Sequence, residues 1–141
     1  MKIAIINGPN LNLLGKREPE IYGEESFDIF LENLQSNYPG IEISYFQSNI
    51  EGELIDALQT AGFNNDGIVF NPGGYTHTSV AIGDTIAAIK APVVEVHISN
   101  IFARESFRQL SYVSAKAVGT ISGLGLKGYE LALEYFLSKR S

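Results

Sequence analysis

Residues 67–98 read GIVFNPGGYTHTSVAIGDTIAAIKAPVVEVHI. Two apolar runs, GIVF (67–70) and PVVEVHI (92–98), stand at the ends. Both are nearly continuous in apolar character rather than alternating, as expected of strands covered on both faces of a parallel sheet. Between them, TSVAIGDTIAAIK has helical spacing and is stopped by Pro92, just past Lys90 and Ala91. Its one internal glycine, Gly83, costs about 1 kcal/mol relative to alanine in a helix. Strand, helix and strand in so short a span form a βαβ unit, which places two parallel strands in one sheet.

The same alternation extends outward in both directions. KIAII (2–6), IEISYF (41–46) and AVGTI (117–121) supply three further strands. SFDIFLENLQSNY sets Phe27, Phe30, Leu31 and Leu34 on one helical face with Ser26 as N-cap. EGELIDALQTAG ends at Gly62, a natural residue just past a helix C-terminus. ARESFRQLSYV and GYELALEYFLSK complete five helices. The expected fold is α/β, a three-layer sandwich with a five-stranded parallel sheet in the flavodoxin-like order 2-1-3-4-5.

Bulk properties narrow the function. A chain of 141 residues suggests one domain, residues 1–141, with a single core. A net charge of −6 argues against nucleic acid or an anionic membrane as partner, though not against a small anion in a local site. With no cysteine there is no disulfide framework and no thiolate metal site. No signal-peptide pattern or long apolar span appears, so a cytoplasmic protein is expected.

In doubly wound sheets ligands bind beyond the carboxyl ends of the strands. Here those ends carry NGPNLN, QSN, NPGGYTHTS, HISN and SGLG, whereas the opposite connections, such as YPG and KAP, read as plain turns. Both histidines of the chain, His77 and His97, fall on the first edge. Glu95 and His97 share a strand face, and a carboxylate beside an imidazole suits a general acid. A purely structural Glu–His pair is the alternative. His77 opens the next helix, either as a simple cap or as a neutral imidazole facing an anion. Arg104 and Arg108, four apart on the expected helix, either bind hydroxyls or a carboxylate or form a solvated face.

Other chemistries fit less well. GLGLKG (123–128) matches G-x-G-x-x-G but follows the last strand, so it is no dinucleotide fingerprint. NGPNLN is not a flavin phosphate loop, and strand one ends without the carboxylates of a phosphoreceiver. His77, His97, Glu95 and Asp84 lack short metal-ligand spacing, so neither metal nor cofactor is expected.

One connection is far longer than the usual two to six residues: the polar segment from Asn7 to Glu25. Its centre, GKREPEIYG (15–23), holds Arg17 and Tyr22 between two glycines. A guanidinium about 4 Å from a phenol, at an effective dielectric near 20, is worth about 4 kcal/mol, or roughly three pKa units. That makes a tyrosinate base accessible near neutral pH. The glycines suit a lid over residues 15–23.

Four motifs, INGPNLNLLGKREPEIYG, NPGGYTHTSVAIGD, EVHISNIFARESFR and GLGLKGYELAL, cover most of the chain in order. Together they resemble the type II 3-dehydroquinate dehydratases. The resemblance implies trans dehydration of 3-dehydroquinate to 3-dehydroshikimate through an enolate, without metal or cofactor, in the shikimate or quinate pathway. It implies Tyr22 as proton acceptor, Arg17 as its activator and stabiliser of developing charge, and Asn10 at the enolate oxygen, through a water. It implies His97 as proton donor oriented by Glu95. Asn71 and the backbone at Ile98 and Ser99 would hold the substrate carboxylate, and His77 and Arg108 the ring hydroxyls. Asp84 would reach a neighbouring subunit's site in a dodecamer of four trimers. Where relatives often carry a larger residue before that aspartate, this chain has Gly83.

Overall fold

The structure is a computed structural model and describes residues 1–16, 20 and 26–140. Among these, five strands are present: β1 (Lys2–Asn7), β2 (Glu42–Gln47), β3 (Gly67–Asn71), β4 (Val93–His97) and β5 (Gly119–Ser122). They form one sheet, all parallel, in the order β2-β1-β3-β4-β5. Among the described residues, four α-helices accompany them: α1 (Phe27–Asn37), α2 (Glu51–Asn64), α3 (Val80–Ala88) and α4 (Lys127–Ser138). No helix among the described residues is long and apolar enough to cross a membrane.

Alternation along the strands divides the core into two layers. Ile3 and Ile5 of β1 join Val69, Val94 and Val96 beneath α1 and α4, through Phe27, Phe30, Leu34, Leu133 and Phe136. Ala4 and Ile6 point the other way, with Ile68, Phe70 and Val93, toward Leu54 and Leu58 of α2 and Ile82 and Ile86 of α3. The three central strands are buried along almost their whole length, as their unbroken apolar runs require, whereas the edge strands β2 and β5 are partly exposed. Each fully buried leucine or isoleucine contributes about 1.5–3 kcal/mol. Ser26 caps α1 as expected, its hydroxyl accepting the Ile29 N–H at 3.4 Å.

Two expectations fail, for identifiable reasons. Gly62 does not end α2; the helix runs on to Asn64. A Cβ at Gly62 would lie 2.4 Å from Cβ of Ile89, so the glycine lets the residue after α3 press against α2. The stretch 103–113 is not an α-helix but two 3-10 turns, Ile101–Ala103 and Ser106–Gln109, followed by a loop. Its backbone serves other partners: the Tyr112 N–H donates to the Thr76 carbonyl at 2.9 Å, and Ser111 Oγ accepts the N–H groups of Val113 and Ser114. Local serine bonds of this kind compete with helix formation. Arg104 and Arg108 therefore do not share a helical face.

Candidate active site

The carboxyl ends of β1, β3 and β4 converge on one cleft. Asn71, His77, His97, Ile98, Ser99 and Arg108 line it, with Leu11 closing one side. The turns after β1 and β3 are pressed together: the Gly8 N–H donates to the Asn71 carbonyl at 2.8 Å, and a Cβ at Gly8 would sit 2.4 Å from the Pro72 carbonyl oxygen. A larger groove lies along β2 and α2, lined by Tyr45, Phe46, Glu53, Asp56 and others, but among the described residues neither histidine nor arginine lines it. The chemistry concentrates in the smaller cleft.

Glu95 and His97 lie two apart on β4, on one face, and both are buried. His97 Nε2 donates to Glu95 Oε2. That bond leaves Nδ1 as the nitrogen for the cleft. Burial alone would raise the Glu95 carboxyl. Donation from His97, Ser114 and Ser111 outweighs it and holds the group below the usual carboxylate range.

His77 lies in the 3-10 turn Gly73–His77 rather than at a helix start; Ser79 caps α3 instead, accepting the Ile82 N–H at 3.0 Å. The Leu110 carbonyl can only accept, so His77 Nδ1 donates to it, at 2.6 Å, and Nε2 is left for the cleft. Burial pushes the imidazole below its ordinary 6.5, against the Leu110 bond, and the neighbouring His97 and Arg108 push the same way. His77 is thus held neutral, by burial rather than by a helix dipole.

The floor of the cleft is a buried amide–phenol network. Asn7 and Asn71 are register partners on β1 and β3. Tyr129 of α4 donates its O–H to Asn7 Oδ1 at 2.7 Å and accepts from Asn71 Nδ2 at 3.0 Å. Asn71 Oδ1 accepts the Gly73 N–H at 3.1 Å, so both ends of that amide are oriented.

At the rim, Arg108 Nε donates to Glu105 Oε2 at 2.5 Å, and Arg104 Nη1 donates to Ser99 Oγ at 3.1 Å. Asn10 adopts left-handed backbone (φ 69°) and its N–H donates to Asn49 Oδ1 at 3.0 Å; its neighbour Leu11, not Asn10 itself, lines the cleft. Asp84 is exposed on α3 and does not line this cleft. Arg17 and Tyr22, and most of the segment 15–23, lie outside the described residues.

Residues 1–137 match the family described as dehydroquinase class II. This chain belongs to that family. The 3-dehydroquinate dehydratase of Actinobacillus pleuropneumoniae serotype 5b is 50% identical over 140 residues, covering 98% of this chain and 91% of the relative. That of an Exiguobacterium species is 53% identical over 134 residues, covering 94% and 92%. The crystal structure of type II dehydroquinase from Butyrivibrio crossotus superposes with a TM-score of 0.93 at 47% identity, covering 97% of each chain.

Within this class II dehydroquinase chain, sequence reasoning missed the residues that support the cleft from beneath. Tyr129 reads as an ordinary core aromatic at helical spacing; only the register of Asn7 against Asn71 shows that its hydroxyl has work. Ser111 was hidden in the stretch 103–113, read as a helix, and Ser114 lies just past its end. The register of β4 against β5 sets the Thr120 hydroxyl opposite the buried acid Glu95, but nothing in the sequence pattern brings Ser111 and Ser114 to it.

Proposed function

We propose that this chain is a 3-dehydroquinate dehydratase, removing water in trans from 3-dehydroquinate to give 3-dehydroshikimate through an enolate. The observation that carries the reading is the buried Glu95–His97 pair, whose His97 lines a cleft together with Asn71, His77, Ser99 and Arg108. Family membership and the relatives' names support the same substrate.

In this mechanism Tyr22, ionised beside Arg17, removes the proton alpha to the ketone. The C–H electrons become the enolate, whose oxygen is held by Asn10 through a water. The enolate then forms the C=C bond as the β-hydroxyl leaves with a proton from His97 Nδ1, and water departs. Solvent returns the proton from Tyr22 to His97. Asn71, with the backbone of Ile98 and Ser99, holds the substrate carboxylate; neutral His77 and Arg108 hold ring hydroxyls. No step calls for a metal or cofactor. Residues 15–23 serve as the lid of a single catalytic domain. The working form is a cytoplasmic dodecamer of four trimers in which Asp84 completes a neighbour's site.

The test is direct: purified protein with 3-dehydroquinate, followed by ultraviolet absorbance of the conjugated product. Steady turnover is expected. A folded protein with no turnover above buffer would remove the assignment.

A further inference from the structure

Glu95 is completely buried, yet its carboxylate collects more donors than its pairing with His97 requires. Ser114 Oγ donates to Oε1 at 2.6 Å. Ser111 Oγ lies 3.3 Å from Oε1 and 3.2 Å from Oε2. Thr120 Oγ1 approaches Oε1 at 3.5 Å from β5. The direction of the Ser111 bond is forced. Its oxygen accepts the N–H of Val113 at 3.1 Å and of Ser114 at 3.0 Å, which occupies both lone pairs. Its hydrogen is left to point at Glu95. The loop itself is pinned by Val113, fully buried in the α2–α3 layer. Among the described residues, the titratable groups facing this carboxylate are His97 on its own strand and, more weakly, His77 from the turn after β3.

We propose that Ser111 and Ser114 are positioning residues for the dehydration: they keep Glu95 charged and aimed at His97 Nε2, so that the shared proton stays on the imidazole. This deepens the proposed function and rests on its reading of His97 as proton donor. The physical reason is the cost of burying a bare carboxylate. Without the serine donors, the pair relieves that cost by moving the Nε2 proton to Glu95. One N–H bond breaks and one O–H bond forms, leaving a carboxylic acid beside a neutral imidazole. A neutral imidazole is a far weaker acid toward a leaving hydroxyl than an imidazolium. Two hydroxyls on one loop thereby decide where the proton of a buried pair resides.

The test uses Ser114→Ala in the full chain, because Ser114 carries the shortest serine bond and leaves the backbone ties of Ser111 in place. Protonation of Glu95 is followed by the infrared band of a protonated carboxyl, assigned by its absence from Glu95→Gln, as a function of pH. The band's midpoint is expected to rise by about one pH unit, the usual worth of a hydrogen bond to a charged group. In the same variant kcat is expected to fall about tenfold while KM stays within about twofold, since Glu95 touches no substrate. Ser114→Thr, which keeps the hydroxyl, should restore both. Ser111→Ala is the second variant and should act in the same direction. An unmoved midpoint in folded Ser114→Ala and Ser111→Ala would overturn the proposal. A raised midpoint with unchanged kcat would uphold the serines' hold on Glu95 and overturn the reading of His97 as proton donor.

Discussion

Tyr129 shows how a single hydroxyl can matter in a packed interior. Its ring is wedged among Phe27 and Phe30, while its oxygen ties Asn7 to Asn71 beneath the cleft. Burial pushes its phenol far above the usual value, so it stays a neutral donor. Tyr129→Phe preserves the packing but leaves Asn7 Oδ1 without its donor. We expect a loss of about 1–2 kcal/mol in urea denaturation, and a KM that rises more than kcat falls, because Asn71 is freed to turn. Tyr22 belongs to the chemistry itself on the proposed mechanism. Tyr22→Phe should lower kcat by about a hundredfold or more with an unchanged denaturation midpoint; near-normal kcat would remove it as the base. The two cleft groups with shifted titration predict the acid response of the fold. His77 is held below its ordinary 6.5, so the unfolded chain binds that proton more readily. Its contribution to stability is present above about pH 6.5 and drains as pH falls toward the lowered value. Glu95, held below its ordinary 4.5, contributes fully above that value and loses it as pH falls through the lowered one. Stability should therefore decline in two steps on acidification, and His77→Gln should flatten the upper one in denaturation curves taken from pH 7.5 to 5.

At the scale of elements, α3 and the loop 110–114 are the informative pair. Gly83 looks like a poor helix residue, and alanine there would favour the helix by about 1 kcal/mol. Yet a Cβ at Gly83 would sit 2.4 Å from the Tyr112 carbonyl oxygen, a backbone atom that cannot swing away. Gly83→Ala is expected to destabilise by about 1–2 kcal/mol net and to lower activity, because the displaced loop carries Leu110 to His77 and Ser111 and Ser114 to Glu95. A stabilised, fully active variant would show the contact to be soft. The same loop marks where sequence reading stopped. The strands and α1, α2, α3 and α4 were legible because their apolar periods agree with the packing they enter. His77, His97 and Glu95 were legible because topology sends them to one sheet edge, whereas Asn71 was singled out only by the family resemblance. The stretch 103–113 was not, because its helical spacing is real but Phe107 and Leu110 stay exposed, and its backbone groups are claimed by Thr76 and Ser111. No period in the sequence records such tertiary competition. For the same reason Gly62 read as a terminator when its role is to admit Ile89.

At the scale of the whole molecule, the question is whether one chain suffices. Its own cleft gathers Asn71, His77, His97, Ser99 and Arg108, but Asp84 stands exposed on α3, outside that cleft. Asp84, one residue beyond Gly83 on the helix surface, has no hydrogen-bond or ion-pair partner among the described residues. The proposed trimer gives it a role: Asp84 of one subunit would serve the site whose His97 belongs to the next. This arrangement makes a prediction that no single-chain enzyme can meet. Asp84→Ala and His97→Ala should each be nearly inactive as pure proteins. Unfolded together and refolded as a mixture, they should form hybrid oligomers. Any site built from the Asp84→Ala chain's intact His97 and the His97→Ala chain's intact Asp84 is then complete. Activity should reappear in the mixture, at a fraction of the native value set by the share of such junctions, and should elute with the oligomer on size exclusion rather than as monomer. If the mixture stays as inactive as its components while hybrids are shown to form, Asp84 acts within its own chain or not at all, and the trimer is not needed for the chemistry.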